Sequence, residues 1–396
     1  LSVDLNRKTD ASEVKRPNSV LGVLMFFLLI IAVTIMAFAV YLKTIGYDFT
    51  TLDVKEAINF ARSHSQKQTS IAASEISYSQ DGSVDCKVYK GYTILLSQDG
   101  VKWYDKSGKL LQEKALTLTR PVLRNSIKYM AIIDISGRDI YFFKDKTQLW
   151  SRRLDNQIIN AEVSEEGDCT VVTQSKEFKS AVIVIDVNGA DKYTKFCAED
   201  IVLSAKTLHD GEDVLINKVV TKGIKAGTQF EFNNIYLKDP FSTLSMSDNV
   251  FPVLLAMGDD VAAIGQNMLL FMDKQGKELW RKSADSIYCV APNSEKYIIV
   301  AGKFADSTGS AKQKVLVLNK KGEEVYSFNQ PENISGISMY GDRLALRTQR
   351  SIYLFSIKGK KLGQYVARNE IKDAYLTGNN EAIVISGGSV SLVEIK

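Results

Sequence analysis

Histidine is nearly absent from this chain. His64 and His209 are the only two in 396 residues, too few for a His-based metal site or a catalytic dyad. Cysteine is scarce as well, and four of them do not make a disulfide scaffold. Charge of one sign is missing: 50 Lys+Arg face 46 Asp+Glu, a net +4, so the clustered basic excess that a nucleic-acid partner needs is not there. No Gly-rich phosphate cradle, G-x-S-x-G elbow or H-E-x-x-H pair occurs. The glycines at Gly223–Gly227 and Gly387-Gly388 read as turn or loop positions, and His64 and His209 as a solvated linker residue and a turn residue. What is abundant is apolar residues, 45% of the chain, which excludes disorder and provides for a large core.

One long hydrophobic run stands apart. From Val20 to Leu42 there are 23 residues with no charge and no proline. As a helix they rise about 34 Å, enough to cross a hydrocarbon core of about 30 Å. Lys15 and Arg16 precede the run closely while Lys43 follows alone, which places the amino end in the cytoplasm and the remainder outside. A rival reading is a cleaved signal, since Ala37-Phe38-Ala39 has the small-x-small pattern and cleavage there would release a secreted form. The run is longer than a signal core and continues through Val40 and Leu42, which favours an uncleaved anchor.

After it, Asp53 and Glu56 form a capping-box pattern, and Val54, Ala57, Ile58 and Ala61 share a face, predicting a short amphipathic helix to Arg62. A polar linker, Ser63–Ser70, follows. The expected organisation is a cytoplasmic tail (1–19), a transmembrane helix (20–42), a juxtamembrane helix and linker (43–69) and one large domain (70–396).

In that domain the helical period gives way to short alternating runs. Hairpins begin at Val101, Tyr141, Val182, Leu269, Val315 and Ile352, with a looser one at Ile235. Their turn glycines recur: Gly276 to Gly322 is 46 residues, Gly322 to Gly359 is 37, and Gly108 to Gly189 is 81, two units of about 40. Each hairpin is preceded by a further strand and turn, so the unit is four strands. A four-stranded meander cannot bury both faces alone, but sheets stacked radially can. The fold expected is an all-β propeller of eight blades, or seven if the unit around Phe241 is an insertion. The last unit lacks a strand, and Ser70–Ser79 is placed to supply it.

The turn MDKQGKELW, Met272–Trp280, resembles the blade motif of quinoprotein-like (PQQ-like) propellers, in which an Asp and a Gly set the turn and a Trp packs between neighbouring blades. Asp273, Gly276 and Trp280 occupy those positions, and Asp105, Gly108 and Trp150 echo them elsewhere. With its amino-terminal apolar run, the chain resembles over residues 20–396 an uncharacterised clostridial (Firmicutes) family of membrane-anchored propellers. The resemblance implies fold and placement rather than an activity. Enzymes of the quinoprotein class hold a quinone beside Ca²⁺ through clustered oxygen ligands. Here Gly258-Asp259-Asp260 and Glu165-Glu166-Gly167-Asp168 read as turns, so no catalytic, cofactor or metal residue is assigned and no cofactor is expected.

Cys86 and Cys289 are expected on first strands of blades 1 and 5. Cys169 and Cys197 are expected in one blade at opposite ends of parallel strands, leaving four free thiols. The hairpin tip Lys222–Thr228 and the loop Ala301–Lys314 are the candidate recognition elements. Together these residues point to a binding or scaffolding module at a bacterial cell envelope, with a protein or wall-polymer partner. The alternative is a small-ligand sensor or quinone-dependent enzyme using the central funnel, whose lining distinguishes the two.

Overall fold

The computed structural model describes residues 19–44, 72–78, 84–208, 211–222, 225–292, 296–305, 311–329 and 334–396. The chain divides into two units, Leu1–Lys67 and Gln68–Lys396. In the first, a helix runs from Ser19 to Thr44, and its described side chains from 24 to 40 are almost all exposed and apolar, among them Phe27, Leu29 and Met36. Counted over the described residues alone, no helix is long and apolar enough to cross a membrane. The segment expected as a helix over Asp53–Arg62, the linker after it and both histidines lie outside the described residues.

Among the described residues of the second unit, thirty-two strands form eight four-stranded antiparallel sheets. Seven follow the chain directly, as blades 1 to 7: 85–115, 121–153, 158–197, 201–246, 253–283, 286–329 and 336–366. Blade 8 takes three strands from 371–394 and its fourth from the other end of the domain. That strand, Ala72–Ser77, lies antiparallel to the last one, Ser389–Glu394, with Ile76 opposite Val390. The eighth blade and its borrowed strand are as the repeat predicts. The unit around Phe241 is a full blade, not an insertion. One position shifts as a result: Cys289 lies on Ser286–Val290, the first strand of blade 6 rather than 5, because the sheet at 201–246 is complete and moves every later strand on by one.

Burial identifies the inner and outer edges. In most blades the fourth strand alternates exposed and half-buried residues, as in Thr147–Arg153, while the second is buried on both faces, as in Tyr129–Asp134. The fourth strands therefore form the rim, and the first strands surround the axis. Eight apolar clusters hold the wheel together, each drawing its residues from two consecutive blades. The last unites blade 8 and blade 1 through Ile76, Ile383 and Val390 on one side and Cys86 and Leu95 on the other. Each fully buried aliphatic or aromatic side chain contributes about 1.5–3 kcal/mol. No blade can bury its faces without both neighbours, and closure is therefore part of the core.

The strands alternate in direction, so all first-to-second and third-to-fourth turns emerge on one face of the wheel. The second-to-third hairpins and the links between blades emerge on the other. All candidate sites belong to one of these two faces or to the axis.

Candidate functional site

The third-to-fourth turns are the most regular feature. In blade 5 the Asp273 carboxylate accepts hydrogen bonds from the Gln275 and Lys277 amides at 3.0 and 2.9 Å, and the Gly276 amide closes the turn on the Asp273 carbonyl at 3.0 Å. Asp105 and Gly108 build the same turn in blade 1. There the Ser107 hydroxyl and the Lys109 amide hold the Asp105 carboxyl below its usual range. Asp186 and Asn319 repeat it in blades 3 and 6. The turn glycines have φ of +77° to +87°, and a strand bulge follows at the same place in six blades.

The tryptophans join these turns across blades. Trp280 stacks on Phe271 of its own blade at 5.3 Å and donates its indole N–H to the Lys320 carbonyl of blade 6 at 2.9 Å. A Cβ on Gly322 would lie 2.7 Å from that indole, so the residue must be glycine for contact as well as for conformation. Trp150 does the same between blades 2 and 3, stacked on Phe142 at 4.8 Å and bonded to the Val187 carbonyl at 3.1 Å, with Gly189 against its ring. In blade 1 the place is held by Gln112, whose amide donates to the Lys146 carbonyl at 3.3 Å. The six motif residues are thus spread over blades 1, 2 and 5 and do not converge on one site. Gln112 escaped the sequence reading because it is not aromatic, although its position one repeat from Lys146 was available.

Around the axis the first strands carry polar side chains, and these are occupied with the next blade. Asp85 accepts the Leu123 amide at 2.8 Å, Arg124 donates to the Ala161 carbonyl at 3.0 Å, Asn160 donates to the Leu203 carbonyl at 3.2 Å, and Ser338 accepts the Leu376 amide at 2.9 Å. Lys87 reaches the Tyr375 hydroxyl at 3.1 Å, joining blade 1 to blade 8. Tyr375 in turn donates to Asp373, which Arg347 approaches to 3.5 Å. Burial, with Asp373 beside it, pushes the Tyr375 phenol well above its ordinary range. Blades 8, 1 and 2 thus bring charged side chains to the axis, while the first strand of blade 5, Val253–Met257, is wholly apolar, with Val253 and Leu255 packed into the core between blades 5 and 6. Among the described residues no group of three His, Cys, Asp or Glu stands close enough to hold a metal ion.

A buried ionic network lies between blades 3 and 4. Lys218 is bonded to Glu231 at 2.5 Å and to Asp200 at 3.2 Å, while Lys195 meets Glu231 at 3.2 Å and Asn233 at 2.6 Å. Lys218 and Glu231 are 5% and 9% exposed, so they are stabilised by each other and not by water. All four cysteines are free, three of them buried. Cys169 and Cys197 sit on strands separated by Ser180–Ile185, at opposite ends, as their spacing requires. Burial pushes the Cys86, Cys169 and Cys289 thiols up to about 12, which leaves them inert at neutral pH.

The two faces carry the elaborations. On one, the blade 4 hairpin has ten residues in each strand, Asp213–Lys222 and Lys225–Asn234, nearly twice the five or six of most blades. Its tip at 223–224 lies outside the described residues, as do 306–310 of the Ala301–Lys314 loop. On the other face, blade 4 replaces the Asp-x-x-Gly turn with Ile235–Phe241, in which Tyr236, Leu237 and Phe241 are 75%, 52% and 41% exposed. Gly258-Asp259 and Glu165–Gly167 are first-to-second turns on this same face. An open cleft of about 490 Å³ there is lined by Lys296, Asn319, Lys320 and Lys321.

Solved propellers share this architecture. BamB from Moraxella catarrhalis is 14% identical with a TM-score of 0.53, covering 83% of this chain and 98% of its own. The C-terminal WD40 domain of Sif2 is 12% identical with a TM-score of 0.58, covering 81% and 99%. The Pan2 WD40 domain of Neurospora crassa is 10% identical with a TM-score of 0.51, covering 82% and 95%. At such identities the likeness is one of fold. No curated protein matches the sequence. One family model does, over residues 62–395, and it is described as a family of unknown function, DUF5711.

Proposed function

This chain belongs to that family, DUF5711, and from its geometry we propose that it is a membrane-anchored binding module that displays its propeller outside the cytoplasmic membrane and docks a partner on its turn and loop faces. The observation that carries this reading is the use made of polar groups at the axis. Asp85, Arg124, Asn160, Ser338 and Tyr375 are each bonded to a neighbouring blade, whereas the departures from the repeat occur at the faces, where a partner would meet them. A pocket enzyme needs the reverse, converging groups left open to a substrate.

Support for the anchor is the uncharged run Val20–Leu42 within a 26-residue helix, and Lys15 and Arg16 before it support a cytoplasmic amino end. The test is site-directed photo-crosslinking from the propeller faces of the full chain in its native membrane. A specific adduct is expected. No adduct, together with reduction of a redox dye when quinone is added, would overturn the reading in favour of an enzyme. Proteolysis of intact cells tests placement, and protection of everything after Leu42 would reverse the orientation.

A further inference from the structure

Blade 4 breaks the turn pattern at one place and exposes apolar side chains there. The loop Ile235–Phe241 is nevertheless fixed by its own bonds. The Tyr236 amide donates to the Asn234 side chain at 3.1 Å, the Leu237 amide to the Asn234 carbonyl at 3.0 Å, and the Phe241 amide to the Phe232 carbonyl at 2.9 Å. Phe241 also packs on Phe232 at 6.3 Å. Tyr236 and Leu237 are therefore presented by a rigid loop, the arrangement in which aromatic and aliphatic anchors lose least entropy on binding.

Neighbouring turns extend this surface and give it a sign. The Ile235 amide is bonded to the Glu212 carbonyl at 2.9 Å, and a Cβ on Gly211 would lie 3.1 Å from Asp168 and 3.9 Å from the Glu166 side chain, which places blade 3's acidic turn alongside. In blade 2, Ile127 is 71% exposed and its amide is bonded to Glu165 at 2.8 Å. A continuous strip thus runs across blades 2 to 4, with apolar anchors at both ends and Glu165, Glu166 and Glu212 between them. Lys192 is turned to Asp168 at 3.0 Å, and among the described residues the other lysines of these turns are Lys128 and Lys238.

We infer that this strip is the docking surface of the module, and that its partner is a protein segment carrying apolar side chains flanked by Lys or Arg. The inference rests on the binding-module reading and deepens it. The acidic middle repels anionic wall polymers, nucleic acid and anionic lipid, which leaves a basic polypeptide as the complementary occupant.

The probe is a display library of random short peptides selected on the full chain in detergent, with the best peptide then measured by fluorescence anisotropy. Peptides combining Lys or Arg with Leu, Phe or Tyr are expected. Tyr236→Ser with Leu237→Ser weakens their binding at least about tenfold. Glu166→Lys with Glu212→Lys does so too and flattens the salt dependence, while both pairs keep the wild-type thermal melt. Enrichment of acidic or uncharged peptides overturns the inference, as does binding indifferent to the Tyr236 and Leu237 changes. In the latter case the partner docks elsewhere and the module reading survives. If nothing is enriched, the strip is not a peptide site, and crosslinking alone decides the broader reading. Dimers that Tyr236→Ser dissolves would assign the strip to self-association instead.

Discussion

Excising residues 72–78 from the full chain tests whether the borrowed strand closes the wheel. Among the described side chains of the segment, Ile76, at 5% exposure, is buried in the cluster between blades 8 and 1. Burial of an isoleucine is worth about 1.5–3 kcal/mol. Tyr78 adds a hydroxyl bond to the Ser386 carbonyl at 2.5 Å and an amide bond to the Gly388 carbonyl at 2.9 Å. Each such bond nets about 1 kcal/mol. The ladder bonds to Ser389–Glu394 are largely offset by the about 1–2 kcal/mol per residue needed to order the segment. The expected loss is therefore about 4 kcal/mol, a large part of the about 5–15 kcal/mol that holds a domain together. With a urea slope of about 3 kcal/mol per molar, the midpoint falls by about 1.3 M. Trp103, Trp150 and Trp280 report the transition from blades 1, 2 and 5, so a shift in their fluorescence shows that loss in blade 8 is felt round the ring. A synthetic peptide of the excised sequence should restore the midpoint in proportion to the logarithm of its concentration. Coincident melts of the two chains, or a peptide without effect, would refute the closure.

Further perturbations address the interfaces. Gly322→Ala forces a side chain into left-handed backbone and against Trp280, costing about 2–4 kcal/mol in urea melts. In the double variant with Trp280→Ala the cost is less than additive, and strict additivity would separate the two residues. Lys218→Met leaves Glu231 and Asp200 short of a buried partner and costs about 3 kcal/mol. Adding Glu231→Leu recovers at least half of that, measured the same way. At pH 8 the native thiols resist a disulfide reagent and react once unfolded. The Cys169 thiol is pushed up from 9.0 to about 12, so its contribution is full below pH 9 and is lost as pH rises towards 12. Cys169→Ala accordingly lessens the fall of stability with pH by about 1.4 kcal/mol per unit in that window.

The architecture was legible because it is written in a period. Turn glycines recurring at about forty residues, and a last unit one strand short, were enough to reach eight blades and the borrowed strand. What escaped the reading has a physical cause. Gln112 stands in a tryptophan's place because the bond to Lys146 needs an N–H and not a ring. The polar links at the axis join residues a whole blade apart, such as Asp85 with the Leu123 amide, and no local pattern announces them. Tyr236, Leu237 and Phe241 looked like an irregular hairpin, since only the completed sheet shows that they extend past the edge of the core. The Lys218 network was equally invisible, being charged residues in strands that otherwise read as half-exposed.

Because the last sheet is completed by residues near the beginning of the domain, the protein cannot finish folding in the order in which it is made. The segment at 72–77 leaves the ribosome about three hundred residues ahead of its mate at 389–394. For all that time it is an unpaired edge that any other strand can capture. Nascent chains that are stalled or cut short of residue 389 should therefore associate through this edge, and a chaperone has a defined segment to guard until the final turn of the chain arrives.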